Sequence, residues 1–270
     1  GIRVMSMLLA LLASGSAGTV PTVVPAPAPA GKPIARRKFT LDADTNMVFF
    51  CNSYYAKWEY EGIQDVPPLK EFFASKGMSP VNFRVPGITW PMMAVTSQNA
   101  VNAFKPGKLN VLMVGETRNT TFNLGRTITD EQELVRLTRN CIAMIQWDTL
   151  KKHGSYWDYV VLGGTFPTQS PFGEPDSQVI AGNEAMSRYD EFMRNADNLQ
   201  SVGADVYVDY RKRAPETFEG NGITVKPGFM SQPGKTVLEE QEKHLVHPTN
   251  SARSTMARCI RDAIDEYSRQ

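Results

Sequence analysis

Met47-Val48-Phe49-Phe50-Cys51-Asn52-Ser53-Tyr54-Tyr55 opens as an unbroken apolar run and stops at a small polar turn. Such a run, with no polar residue on either alternate face, reads as a strand covered on both sides. A strand of that kind belongs inside a parallel sheet. Parallel sheets carry their chemistry at the carboxyl ends of the strands. Ser53 leaves the strand at that end and is the first candidate nucleophile.

Working outward, apolar strands alternate with helical stretches. The first strand is read as 46–51 and is followed by a helix over 66–76, where Pro67 and Pro68 suit a first turn and Gly77 a cap. A short strand over 81–85 ends at Pro86-Gly87. A helix over 98–104 closes at Pro106-Gly107, and a third strand spans 109–114. Thr129-Asp130-Glu131-Gln132 opens a long helix with capping-box character that runs to about residue 153. The fourth strand, 159–162, closes at Gly163-Gly164. An amphipathic helix over 184–202 and a Gly203 cap lead to a fifth strand, 205–209. The last helix spans 250–267, with Met256, Cys259, Ile260 and Ile264 inward. Strands separated by helices imply right-handed crossovers. The expected fold is α/β: three layers, α/β/α, around a mostly parallel five-stranded sheet. Ser53, Gly87, Gly115 and Gly164 all fall at carboxyl ends of these strands.

The ends of the chain read differently. Residues 4–13 form an apolar segment with Arg3 before it and Ser14-Gly15-Ser16-Ala17-Gly18 after it. It is too short to span a bilayer, so no transmembrane helix is expected. The segment, residues 1–20, reads as a signal-peptide core or as an anchor packed on a protein partner through residues 4–20. Residues 21–34 alternate Pro with small residues and read as an extended, semi-rigid spacer. The α/β domain is expected over 35–270.

Composition narrows the function classes. The 270 residues are 41% hydrophobic and 21% charged, with formal net charge +1. No field points to nucleic acid or acidic lipid. Arg36-Arg37-Lys38 and Arg211-Lys212-Arg213 read as solvated turns. The three cysteines, Cys51, Cys141 and Cys259, lack metal-ligand spacing and fall at apolar positions, where buried thiols are common. No dinucleotide fingerprint, phosphate-binding glycine loop or zinc cluster is present, so no cofactor or metal is expected. Asn119-Thr120-Thr121 fits the glycosylation triplet. Tyr54, Tyr55, Trp58, Tyr60 and Trp90 lie near the expected carboxyl edge, either as core packing or as stacking surfaces for sugar rings.

A serine nucleophile needs a base within hydrogen-bond reach. The histidines are His153, His244 and His247. His153 ends a long helix, where a basic side chain suits the macrodipole. His247, in His247-Pro248 just before the last helix, is placed to swing an imidazole over the sheet edge. Glu240 and Glu242 lie close by in sequence.

In these residues the chain resembles the SGNH, or GDSL-like, serine hydrolases over about residues 45–268. Phe49-Phe50-Cys51-Asn52-Ser53-Tyr54 looks like the Gly-Asn-Ser-Tyr form of that family's first block, with Cys51 in place of glycine. Gly87 matches the glycine of the second block. Val114-Gly115-Glu116-Thr117-Arg118-Asn119 resembles the third, Gly-x-Asn-Asp; Thr117 stands where the asparagine is expected, and Asn119 serves only with a two-residue insertion. His244-Leu245-Val246-His247-Pro248 resembles Asp-x-x-His-Pro, with His244 in place of the aspartate.

The resemblance implies a flavodoxin-like SGNH fold and acyl transfer. Ser53 is then the nucleophile and His247 the base, with Glu242 or His244 in the orienting place. The oxyanion donors are the backbone N–H groups of Ser53 and Gly87, with Thr117 or Asn119 as the third. Two functions follow. One is an esterase acting on O-acyl groups of a surface polysaccharide, displayed outside the cell or on a virion by the N-terminal anchor and spacer. The other is a degenerate domain with a structural or glycan-binding role, favoured by the changes at Cys51, Thr117 and His244.

Overall fold

The computed structural model describes residues 36–56, 62–168, 177–226 and 247–270. The anchor and spacer of residues 1–34 lie outside the described residues, as do Trp58, Tyr60, Glu240, Glu242 and His244.

Five strands form the main sheet: β1 (Thr45–Cys51), β2 (Val81–Asn82), β3 (Leu109–Gly115), β4 (Tyr159–Gly163) and β5 (Val206–Val208). Their order is β2-β1-β3-β4-β5, and every pairing is parallel. The sheet is therefore wholly parallel among the described residues. Cys51 pairs with Gly115, Val114 with Leu162 and Gly163 with Val208, so the central strands end on one level. Every residue of β1, β3 and β4 is buried, as their continuous apolar runs require.

Strand alternation sorts the side chains into two layers. Met47, Phe49 and Cys51 point one way with Val111, Met113, Val161 and Val208. They are covered by α1 (Pro67–Ser75) and by α9 (Asn250–Ser268), through Met256, Ile260 and Ile264. Val48 and Phe50 point the other way with Leu112, Val114 and Leu162. That face is covered by α2 (Trp90–Val95), α3 (Gln98–Ala103), α5 (Glu131–His153) and α6 (Ser177–Met193). Full burial of each large apolar side chain is worth about 1.5–3 kcal/mol. Cys51, Cys141 and Cys259 are buried free thiols, as their positions in sequence suggest.

Several elements differ from the sequence reading. The long helix is capped by Asp130, not Thr129; the Asp130 carboxylate accepts from Gln132 N–H at 2.9 Å. The helix expected over 184–202 is two helices, α6 and α7 (Ala196–Ser201). Asn195 breaks them, because its side-chain oxygen accepts from Asn198 N–H at 3.0 Å and caps the second. Helices α2, α4 (Arg118–Phe122) and α8 (Tyr210–Arg213), and the hairpin β6 (Phe218–Glu219) with β7 (Thr224–Val225), are too short to show a period.

Arg211 corrects the reading of Arg211-Lys212-Arg213 as a solvated turn. It is 8% exposed, and its Nε donates to Asp190 at 2.5 Å. Arg36 also has fixed partners, lying over the Tyr159 ring and pairing with Asp205. The lead-in chain thereby crosses the amino ends of the strands: Arg36 meets Asp205 before β5, Tyr159 Oη of β4 donates to the Arg37 carbonyl, and Arg37 donates to Gly107 before β3. Arg36 and Arg37 thus lie at the pole opposite Ser53.

Tyr55 explains two glycines at the carboxyl edge. A Cβ at Gly115 would stand 2.4 Å from the Tyr55 ring, and one at Gly163 would stand 1.9 Å from its hydroxyl. Gly163→Ala is expected to cost about 1–3 kcal/mol by overpacking. Adding Tyr55→Phe removes the nearer obstacle, leaving Cζ at 2.9 Å, and should recover part of the loss in urea unfolding. An equal loss in single and double variants would exclude the hydroxyl as the cause.

Candidate active site

β1 ends at Cys51, and Asn52 and Ser53 then turn off the sheet into a single 3-10 turn, Ser53–Tyr55. Asn52 caps that turn: its side-chain oxygen accepts from Tyr54 N–H at 3.0 Å. Cys51 lies in the regular β1–β3 ladder, and Thr117 is the sole non-glycine residue with positive φ among those described. No glycine-only conformation is therefore needed at Cys51. The sequence-level objection to a cysteine there falls away.

At the other end of the chain, His247 precedes α9, whose first turn is capped by Thr249 accepting from Ala252 N–H at 3.2 Å. The last helix packs on the same sheet face as Cys51, which brings the chain back to the edge of β1. Ser53 Oγ and His247 Nε2 stand 2.6 Å apart, both side chains half-buried. The Tyr54 ring lies 5.9 Å from the imidazole, centroid to centroid. His153 is elsewhere: it stacks on Phe104 at 4.9 Å, and its Nε2 lies 2.8 Å from the Val101 carbonyl.

The chain after β2 stays on β1 as it leads to Gly87. Phe83 N–H donates to Phe49 at 2.8 Å and Val85 N–H to Cys51 at 2.9 Å. Pro86-Gly87 then turns, with Gly87 at φ +71°, a left-handed conformation that favours glycine. A cleft of about 470 Å³ opens between these segments. Ser53 and Ala56 line it from one side, and Asn82, Phe83, Arg84, Val85 and Pro86 from the other.

The third block divides. Thr117 is fully buried, and its hydroxyl accepts from the Trp90 indole N–H at 3.1 Å, so it faces the core and not the cleft. Asn119 is buried too, but its amide donates to the Ile88 carbonyl at 3.0 Å and so contacts the Gly87 turn. Asn119, Thr120 and Thr121 are all buried in α4, which leaves no room for a glycan on the folded domain. Tyr54, Tyr55 and Trp90 are core residues and offer no face to a sugar ring.

Glu116 lies behind the serine turn and was not singled out in the sequence. It is 3% exposed, yet it accepts from Asn52 Nδ2 at 3.2 Å, Asn119 N–H at 2.7 Å and Thr120 N–H at 2.9 Å, and from the Thr120 hydroxyl. Burial pushes its carboxyl above the ordinary range, while the hydrogen bonds from Thr120 and Asn119 pull it back. The signal available in sequence was a charged residue directly after a fully buried strand.

No protein-family model and no curated protein sequence matches the chain. An α/β hydrolase enzyme from the metagenome of Lake Arreo, Spain, is similar in structure: 16% identity, 85% of this chain and 98% of that one covered, TM-score 0.53. A member of the lipolytic G-D-S-L family from Veillonella parvula overlaps more loosely, at 12% identity over 80% and 95% of the two chains with TM-score 0.47. Sheet order, crossovers and the first of these likenesses agree: the described residues have a three-layer α/β/α fold, similar to that of the α/β hydrolase enzyme.

Proposed function

We propose that the chain is a serine esterase with Ser53 as nucleophile and His247 as general base. The observation that carries this reading is the 2.6 Å approach of Ser53 Oγ to His247 Nε2 across 194 residues of sequence. His247 takes the hydroxyl proton as Oγ attacks the ester carbonyl carbon. The resulting oxyanion is met by the backbone N–H groups of Ser53 and Gly87. His247 then gives the proton to the departing alkoxide, and water, activated by the same imidazole, hydrolyses the acyl-enzyme. Asn119, which contacts the Gly87 turn, is the candidate third donor in preference to Thr117. Glu242 and His244 remain candidates for orienting the imidazole, and substituting each separately distinguishes them.

The proposed substrate is an O-acyl ester of a surface polysaccharide. A cleft of about 470 Å³ lies in the range of small-molecule sites, and its polar lining from Asn82, Arg84 and Asn99 suits a hydroxyl-rich alcohol moiety. Residues 4–20 are proposed to tether the domain, by way of the 21–34 spacer, to a protein partner on a cell surface or virion. The lead-in chain supports that arrangement, since it enters at the pole opposite Ser53 and would leave the cleft facing outward. A second reading, a degenerate domain with a structural or glycan-binding role, is favoured by the turn of Thr117 away from the cleft. Turnover of p-nitrophenyl acetate, with fluorophosphonate labelling of Ser53, decides between them. Labelling abolished by Ser53→Ala supports the esterase; no turnover and no labelling would leave the degenerate domain.

A further inference from the structure

Asn52, Glu116, Asn119 and Ile88 form one buried chain of hydrogen bonds. It runs from the residue before the nucleophile to the residue after Gly87. Asn52 links Tyr54 N–H to Glu116, at 3.0 and 3.2 Å. Glu116 holds Asn119 N–H at 2.7 Å, and Asn119 holds the Ile88 carbonyl at 3.0 Å. The backbone bends sharply to make this possible. Thr117 sits at φ +95°, a conformation that costs a threonine on the order of 1–3 kcal/mol. That bend turns the first N–H groups of α4 back onto Glu116. Four donors converge on a carboxylate, which accepts at every lone pair and donates at none. An amide in its place would aim N–H groups at N–H groups.

We propose that Glu116 is a positioning residue for the reaction, fixing the Ser53 turn and the Gly87 turn in one frame so that nucleophile and oxyanion donors keep their spacing. This proposal rests on the esterase reading. Glu116 touches no substrate and acts only through Asn52 and Asn119. A misplacement of about 1 Å costs on the order of 10²-fold in rate.

The test uses the full chain. Glu116→Ala is expected to lower kcat for p-nitrophenyl acetate about 10–100-fold with KM held within about twofold. Asn52→Asp sets a second carboxylate 3.2 Å from the first and should fall as far. Glu116→Gln turns its amide N–H onto the Asn119 or Thr120 N–H group and should lower kcat as well. A merely structural carboxylate would change thermal stability but not kcat per labelled serine. Amide exchange in Glu116→Ala separates the frame from the chemistry. Protection should fall together at residues 53–55 and at 87–88. Unchanged exchange at either turn overturns the frame, even with activity lost. A wild-type chain with no turnover and no Ser53 labelling overturns the esterase reading, and the positioning role with it.

Discussion

Ser53→Ala and His247→Ala should each lower kcat for an activated ester by about 10⁴-fold or more, and the double variant should fall no further. The two groups act as one unit. A serine hydroxyl without a base is a weak nucleophile, and an imidazole without a hydroxyl has no proton to move. Removing either therefore removes the same step. A 10⁴-fold loss corresponds to about 5.5 kcal/mol of transition-state stabilisation. The 2.6 Å separation places the pair within reach without any movement of the backbone. Circular dichroism on each variant shows whether the fold is intact, and Ser53 is half-buried at the end of its strand, so alanine there should be tolerated. Multiplicative loss in the double variant would mean that serine and histidine work separately. Turnover surviving Ser53→Ala would remove Ser53 from the mechanism.

Asp190→Ala is expected to be the most damaging single change to stability, at about 3–5 kcal/mol. Asp190 is 1% exposed. Its carboxylate accepts from Arg211 Nε at 2.5 Å and from the Thr165 hydroxyl at 2.7 Å, and from the Tyr207 hydroxyl. Burial pushes its carboxyl up and the Arg211 guanidinium draws it back. Truncation would leave Arg211 as a buried cation without its anion. The damage should spread, because Arg211 also donates to the Gly222 carbonyl and lies over the Phe218 ring at 5.1 Å. Phe166 then carries the contact to Tyr54, beside His247, at 6.0 Å between ring centroids. Thermal unfolding should drop by roughly 10 °C, at about 2–4 °C per kcal/mol for a domain of this size. Replacing both partners, Asp190→Leu with Arg211→Met, should recover much of that loss, since neither charge is then left alone. A double variant no better than Asp190→Ala would mean that the shape of the pair, and not its charge, holds this corner together.

Much of the candidate site was legible because two local signals survive in sequence. A strand buried on both faces has no polar alternation, so 46–51 announces itself and marks Ser53 at its end. A histidine-proline step before a capped helix marks His247 in the same way. Gly87 was legible for its turn. What was not legible depended on which way a side chain points after the chain leaves the sheet. Thr117 and Asn119 are two residues apart, and only the left-handed bend at Thr117 turns one toward Trp90 and the other toward the Gly87 turn. Arg211 belongs to a run of three basic residues that looks solvated, and it is buried because Asp190, 21 residues earlier, meets it. Tyr54, Tyr55 and Trp90 left two readings open, and their burial chose the core.

By itself the sequence determined the alternation of strands and helices, the parallel sheet they imply and the strand ends where chemistry would sit, since these follow from side-chain period and from capping within a few residues. Tertiary structure alone decided that Ser53 meets His247, that Gly115 and Gly163 exist to admit Tyr55, and that Glu116 faces inward to Asn52. Those contacts join residues far apart in the chain. Their distances come from the register of β1 on β3 and the packing of the last helix, which no local pattern encodes.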